Sequence, residues 1–79
     1  MNIIVKEILE KLENKGYQAY IVGGYVRDFL LGIKSIDIDI CTDAKIEDIK
    51  QLFNLENIKS EYGSIHFQVN EFHITITTF

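Results

Sequence analysis

From Ser35 to Cys41 the chain alternates without a break, with Ile36, Ile38 and Ile40 on one parity and Asp37, Asp39 and Cys41 on the other. Only an extended strand, with its period of two, sorts such a run into an apolar face and an acidic face. A fold built around it needs a sheet that is packed on one side and open on the other. The fold class that follows is α+β, with helices covering one face of a small, mostly antiparallel sheet. Carboxylates at i and i+2 also stand about 6 to 7 Å apart at the backbone, and at an effective dielectric near 20 they repel by roughly 2 to 3 kcal/mol. Water reduces that repulsion and a divalent cation reverses its sign. An Asp-x-Asp pair is a weak signal by itself, because an open strand face is ordinarily solvated surface.

What precedes the pair changes its weight. Tyr17 to Val22 is short, apolar and rich in β-formers and reads as a buried strand, which delivers the chain to Gly23-Gly24 and then to a helix. Glycines at such a junction let the backbone approach a phosphate, and the unpaired N–H groups of a helix start favour an anion. Glycines after a strand also serve merely to turn the chain. The Gly-x-Gly-x-x-Gly dinucleotide fingerprint is absent, as is a Gly-Lys-Ser/Thr phosphate loop. The remaining arrangement is a triphosphate held by the backbone at Gly23 and Gly24 and by the fork of Arg27, the sole arginine of the chain, with metal ions bridging to Asp37 and Asp39. Asp28 joins Gly23, Gly24 and Arg27 as a candidate substrate-binding residue, with a structural role, orienting Arg27 or capping the local turn, as the stronger reading. Oxygen-only ligands beside phosphates suit Mg²⁺. Such an arrangement belongs to nucleotidyl transfer, in which Asp37 and Asp39 are the metal ligands.

The flanking segments supply the scaffold. Ile4, Ile8, Leu9 and Leu12 recur at helical spacing after Asn2, a candidate N-cap, and Gly16 supplies a left-handed stop. Val26, Phe29, Leu30 and Ile33 predict the core stripe of the second helix, ending near Gly32. Thr42 or Asp43 is placed to cap a third helix that buries Ile46, Ile49, Leu52 and Phe53. Asn54 to Ser60 reads as a connection with one short strand. The chain then closes with a hairpin: Ile65, Phe67 and Val69 alternate before a turn at Asn70-Glu71, and Phe72, Ile74 and Ile76 after it. His66 and His73 fall on the polar faces of that hairpin.

Seventy-nine residues allow one domain, residues 1–79. A net charge of −4 argues against a broad basic surface for nucleic acid. Cys41 is the lone cysteine, so no internal disulfide forms, zinc spacing is missing, and the reducing cytosol, hence a cytoplasmic location, fits best. No segment reads as a secretory signal or a membrane span.

The run Gly23-Gly24-x-Val26-Arg27-Asp28-x-Leu30-Leu31-Gly32, with Asp37-x-Asp39 and Thr42 at matching spacing, resembles the N-terminal head domain of the class II tRNA nucleotidyltransferase (CCA-adding enzyme) and bacterial poly(A) polymerase family, among the polymerase beta-like nucleotidyltransferases. Weaker similarity continues through Asp43-Ala44 to Phe53, Tyr62-Gly63-Ser64 and Ile76 to Phe79. The resemblance implies that Gly24 and Arg27 bind the incoming nucleotide, that Asp37 and Asp39 hold Mg²⁺, that CTP and ATP are substrates, and that a tRNA 3′ end is the acceptor. It also implies a neck and a body beyond Phe79 that select the base and grip tRNA, so that the head by itself transfers little. Thr75 departs from the pattern, since the family commonly carries Glu there. Two alternatives stay open at this point: a non-catalytic nucleotide-binding module, and an assembly unit that self-associates or joins a partner chain through exposed sheet edges.

Overall fold

A computed structural model of the chain describes residues 3–79. Three helices and five strands follow one another as α1 (Ile3–Asn14), β1 (Ala19–Val22), α2 (Gly24–Leu30), β2 (Asp37–Thr42), α3 (Ile46–Leu52), β3 (Ser60–Glu61), β4 (Ser64–Val69) and β5 (Phe72–Thr78). The strands form one sheet in the order β1-β2-β5-β4-β3, in which only β2 and β5 run parallel. This is the expected α+β arrangement. Alternation does the sorting: Ile38 and Ile40 of β2, Ile74 and Ile76 of β5 and Ile65 of β4 turn inward against Val5, Ile8 and Leu12 of α1 and Ile49 of α3. Asp37 and Asp39 turn outward on the opposite face.

The helices end as their sequences require. After α1, Gly16 takes φ 88° while its N–H reaches the Glu13 carbonyl at 2.9 Å and the Tyr17 N–H reaches that of Leu12 at 3.1 Å. After α2, Gly32 does the same, with Ile33 N–H closing on the Asp28 carbonyl at 2.8 Å. A left-handed residue just past each helix thereby satisfies carbonyls that the helix leaves unpaired. Asn54 fills that position after α3, where the Leu55 N–H bonds the Lys50 carbonyl at 2.7 Å. The candidate cap Asn2 lies outside the described residues.

Four expectations need correction. β1 begins at Ala19 and is the edge strand of the sheet, so its residues are half-buried or exposed instead of buried. In α2 the helix covers only seven residues and turns Tyr25 inward, 7% exposed, leaving Val26, Phe29, Leu30 and Ile33 open, with Leu30 at 77%. In α1, Val5 joins Ile8 and Leu12 at the centre of the core, while Ile4 and Leu9 flank it. Neither Thr42 nor Asp43 caps α3, whose N-cap is Lys45. Thr42 is instead buried, donating to the Gln18 carbonyl at 2.6 Å and accepting the Ala44 N–H at 3.2 Å, and Asp43 accepts the Gln18 N–H at 2.9 Å. Both residues thus tie the exit of β2 to the entry of β1.

Tyr17 donates its hydroxyl to Asp48 of α3 at 3.0 Å, and that bond to a carboxylate raises the phenol above its ordinary pKa of 10.0. A raised acid contributes stability that is complete below pH 10 and lost as pH climbs toward the folded-state value. Tyr17→Phe is therefore expected to flatten the fall in melting temperature between pH 9.5 and 11, relative to the parent.

Candidate nucleotide and metal site

β1, α2 and β2 build one corner of the molecule. Val22 pairs with Asp39 across the antiparallel β1–β2 ladder, so the chain leaving β1 passes directly beside the carboxylates. The turn there demands glycine: Gly23 adopts φ 77° and ψ −150°, a conformation essentially closed to side-chain-bearing residues. A Cβ on Gly23 would lie 3.1 Å from Asp39 Oδ2. The turn therefore runs beside the Asp39 carboxylate with no side chain between them. Gly24 opens α2, and a Cβ there would meet Arg27 Nη2 at 2.8 Å, so the guanidinium folds back over the start of its own helix.

Arg27 Nε and Nη2 both lie 3.4 Å from Asp28 Oδ1. With the two side chains 72% and 21% exposed, this is a surface contact worth about 0 to 1 kcal/mol, enough to bias the arginine but not to sequester it. The carboxylates of Asp37 and Asp39 are exposed and have no protein partner among the described residues. The structure thus brings together Gly23, Gly24, Arg27, Asp28 and Asp39, with Asp37 one pleat along β2.

Donor chemistry fits Mg²⁺: two unpartnered carboxylates share one strand face beside a backbone cradle. No group of three or more His, Cys, Asp or Glu residues among the described residues forms a closed cage, so an ion here would take its other ligands from phosphates and water, as Mg²⁺ commonly does.

Beyond β2 the open face continues onto β5 and β4. Asp39 is opposite Thr75, and Thr75 is opposite His66, whose Nδ1 lies 2.9 Å from Thr75 Oγ1. Asp37 is opposite His73, which is opposite Gln68. The histidines are exposed, as the hairpin alternation implied, but each pairs across strands with a different residue, not with the other. Cys41 is half-buried and free on the same face. The parallel β2–β5 register that lines up these rows has no local sequence signal. No helix among the described residues is long and apolar enough to cross a membrane.

A family model described as the poly A polymerase head domain matches residues 19–79. A CCA-adding enzyme of Staphylococcus aureus (strain Newman) is 37% identical over 75 residues, covering 94% of this chain and 19% of that protein. The crystal structure of the Bacillus stearothermophilus CCA-adding enzyme in complex with CTP is 32% identical, with a TM-score of 0.71 over 95% of this chain and 19% of its own. A tRNA nucleotidyltransferase complexed with a primer tRNA and an incoming ATP analog is 28% identical, with a TM-score of 0.71 over 90% of this chain and 22% of its own. The chain thus spans about a fifth of the length of these relatives. Sequence and overall structure agree with one another: the chain belongs to the poly A polymerase head domain family, the head of class II CCA-adding enzymes and poly(A) polymerases, and has their nucleotidyltransferase fold.

Proposed function

We propose that this chain is the nucleotide- and Mg²⁺-binding catalytic head of a tRNA nucleotidyltransferase, which adds CMP or AMP from CTP or ATP to an RNA 3′ end. The observation that carries the reading is the positive-φ turn at Gly23, where a Cβ would lie 3.1 Å from Asp39 Oδ2, so that a bare backbone turn stands beside an unpartnered carboxylate pair. Solved structures of relatives with CTP, with ATP and with primer tRNA support the choice of substrates. Gly23 and Gly24 leave room for the triphosphate, Arg27 neutralises part of its charge, and Asp28 steers Arg27 toward it. Asp37 and Asp39 would hold Mg²⁺, which when bound neutralises phosphate charge and lowers the pKa of the attacking hydroxyl. In the transfer, the acceptor oxygen bonds to the α-phosphorus, the bond from that phosphorus to the pyrophosphate oxygen breaks, and the hydroxyl proton passes to water.

Calorimetric titration of CTP and ATP tests this. Binding is expected to require Mg²⁺ and to fall at least tenfold in Asp37→Asn/Asp39→Asn, a variant on an exposed face that keeps the fold. Equal binding with and without Mg²⁺, or in parent and variant alike, would contradict the assignment. A second reading is favoured by Thr75, which places a hydroxyl and not a third carboxylate opposite Asp39. That reading is a nucleotide-binding module without transfer, and it is distinguished by Mg²⁺-dependent binding that yields no pyrophosphate when an RNA acceptor is supplied.

A further inference from the structure

Val26, Phe29, Leu30 and Ile33 recur at the spacing of a buried helix face, yet with Leu31 beside them they stand between 45 and 77% exposed. Tyr25 takes the inward position of α2 and leaves that stripe turned away from the core. The stripe is nonetheless a formed surface. Gly32 N–H reaches the Phe29 carbonyl at 3.2 Å and Ile33 N–H that of Asp28 at 2.8 Å, the paired closure that folds Ile33 back along the last turn of α2. Farther on, Lys34 Nζ meets Glu71 Oε2 at 3.0 Å and the Ile36 carbonyl accepts the His73 N–H at 2.7 Å, which pins the following loop to the β4–β5 turn. Backbone that is already fixed adds little ordering cost when the stripe is covered.

We propose that the stripe is the interface of a reversible two-fold dimer, in which α2 of one copy packs against α2 of a second copy of this chain. Area supports that occupant. The five side chains expose on the order of 500 Å², at the upper end of what a monomer shows in one patch. Two such patches face to face remove about 1,000 Å² from water, the threshold of a weak but specific interface. A two-fold contact needs a self-complementary surface, and an apolar stripe is complementary to itself. Charge supports it too. A net charge of −4 makes copies repel in general, but this face is locally neutral, because Arg27 lies against Asp28 and Lys34 against Glu71. The same neutrality disfavours an anionic lipid surface, which is held by uncompensated Lys and Arg.

Sedimentation velocity of the 79-residue protein between about 10 µM and about 1 mM tests this. The weight-average mass is expected to climb from that of one chain toward that of two, with a midpoint near about 100 µM, as so small an area implies. Leu30→Lys and Ile33→Lys are each expected to weaken association by about tenfold or more, since a two-fold contact meets every substitution twice. Lysine near the end of a helix suits its dipole, and far-ultraviolet circular dichroism reports that each variant is folded. Tyr62→Lys, on the fully exposed turn between β3 and β4, is expected to associate as the parent does. A parent that remains a single chain at the highest concentration would overturn the proposal. So would association that survives Leu30→Lys but is lost in Tyr20→Lys, which would move the contact to the edge strand β1. Binding of a monomeric parent to phosphatidylcholine vesicles, lost in Leu30→Lys, would give the stripe to a lipid surface and overturn it as well.

Discussion

Ile40→Ala is expected to destabilise the protein by about 2 to 5 kcal/mol, the range for truncating a fully buried aliphatic side chain. Ile40 is 1% exposed at the middle of β2, paired with Ile21 of β1 on one side and Ile76 of β5 on the other. Its removal opens a cavity where the two halves of the sheet join. A chain this short has on the order of 5 to 10 kcal/mol of total stability, so the substitution takes a large share of it. Urea unfolding followed by circular dichroism measures the loss. Leu30→Ala is the control: at 77% exposure on α2 it should stay within about 0.5 kcal/mol of the parent. Equal effects at the two positions would mean that the core is not where the Ile38 and Ile40 parity places it.

Gly23→Ala is expected to cost about 1 to 3 kcal/mol from its backbone conformation alone, because φ 77° with ψ −150° is almost confined to glycine. The new methyl would also press on Asp39 Oδ2 at 3.1 Å, so triphosphate binding should fall further than stability does. Gly24→Ala separates the two effects. Gly24 lies within α2, where alanine is the better helix former, and the atom that its Cβ would meet is the mobile end of Arg27. Stability should hold or rise slightly in that variant, while CTP affinity drops as the guanidinium is pushed aside. Melting curves and calorimetry on both variants give the comparison. A Gly23→Ala protein as stable as Gly24→Ala would contradict the strained turn.

The parts legible from sequence are those governed by a local period. The parity of Asp37, Ile38, Asp39 and Ile40 in β2 and the alternation of the closing hairpin placed their residues correctly, because a strand in a one-sided sheet allows just two choices per residue. Ile36, expected on the apolar face, instead precedes β2 and is 42% exposed. The helix stops at Gly16 and Gly32 were legible for a similar reason, since the left-handed residue sits at a fixed offset from the last turn. Failures came where a distant partner decides. The apolar run of α2 names a stripe, but a seven-residue helix at the end of an edge strand has too little neighbouring surface to cover it, and Tyr25 takes the inward position. Thr42 has the residue type and position of a cap, but the Gln18 carbonyl, 24 positions away, claims its hydroxyl. The glycine pair and the carboxylates were readable as a motif, and Thr75 as a departure from the family pattern; the place of His66 in the same row was not, because it depends on a parallel register between β2 and β5 and on the β4–β5 pairing.

The most direct test of the central claim, that a triphosphate and a divalent ion meet at Asp37 and Asp39, is paramagnetic broadening by Mn²⁺ in the presence of CTP. Manganese substitutes for magnesium at oxygen ligands, and it erases amide signals near the ion. The account requires that signals of Gly23, Gly24 and residues 37–39 vanish first at substoichiometric Mn²⁺, and that Asp37→Asn/Asp39→Asn retain them. Broadening that begins instead among the exposed acids of α1, or that persists unchanged in the double variant, would place the ion elsewhere and contradict the account.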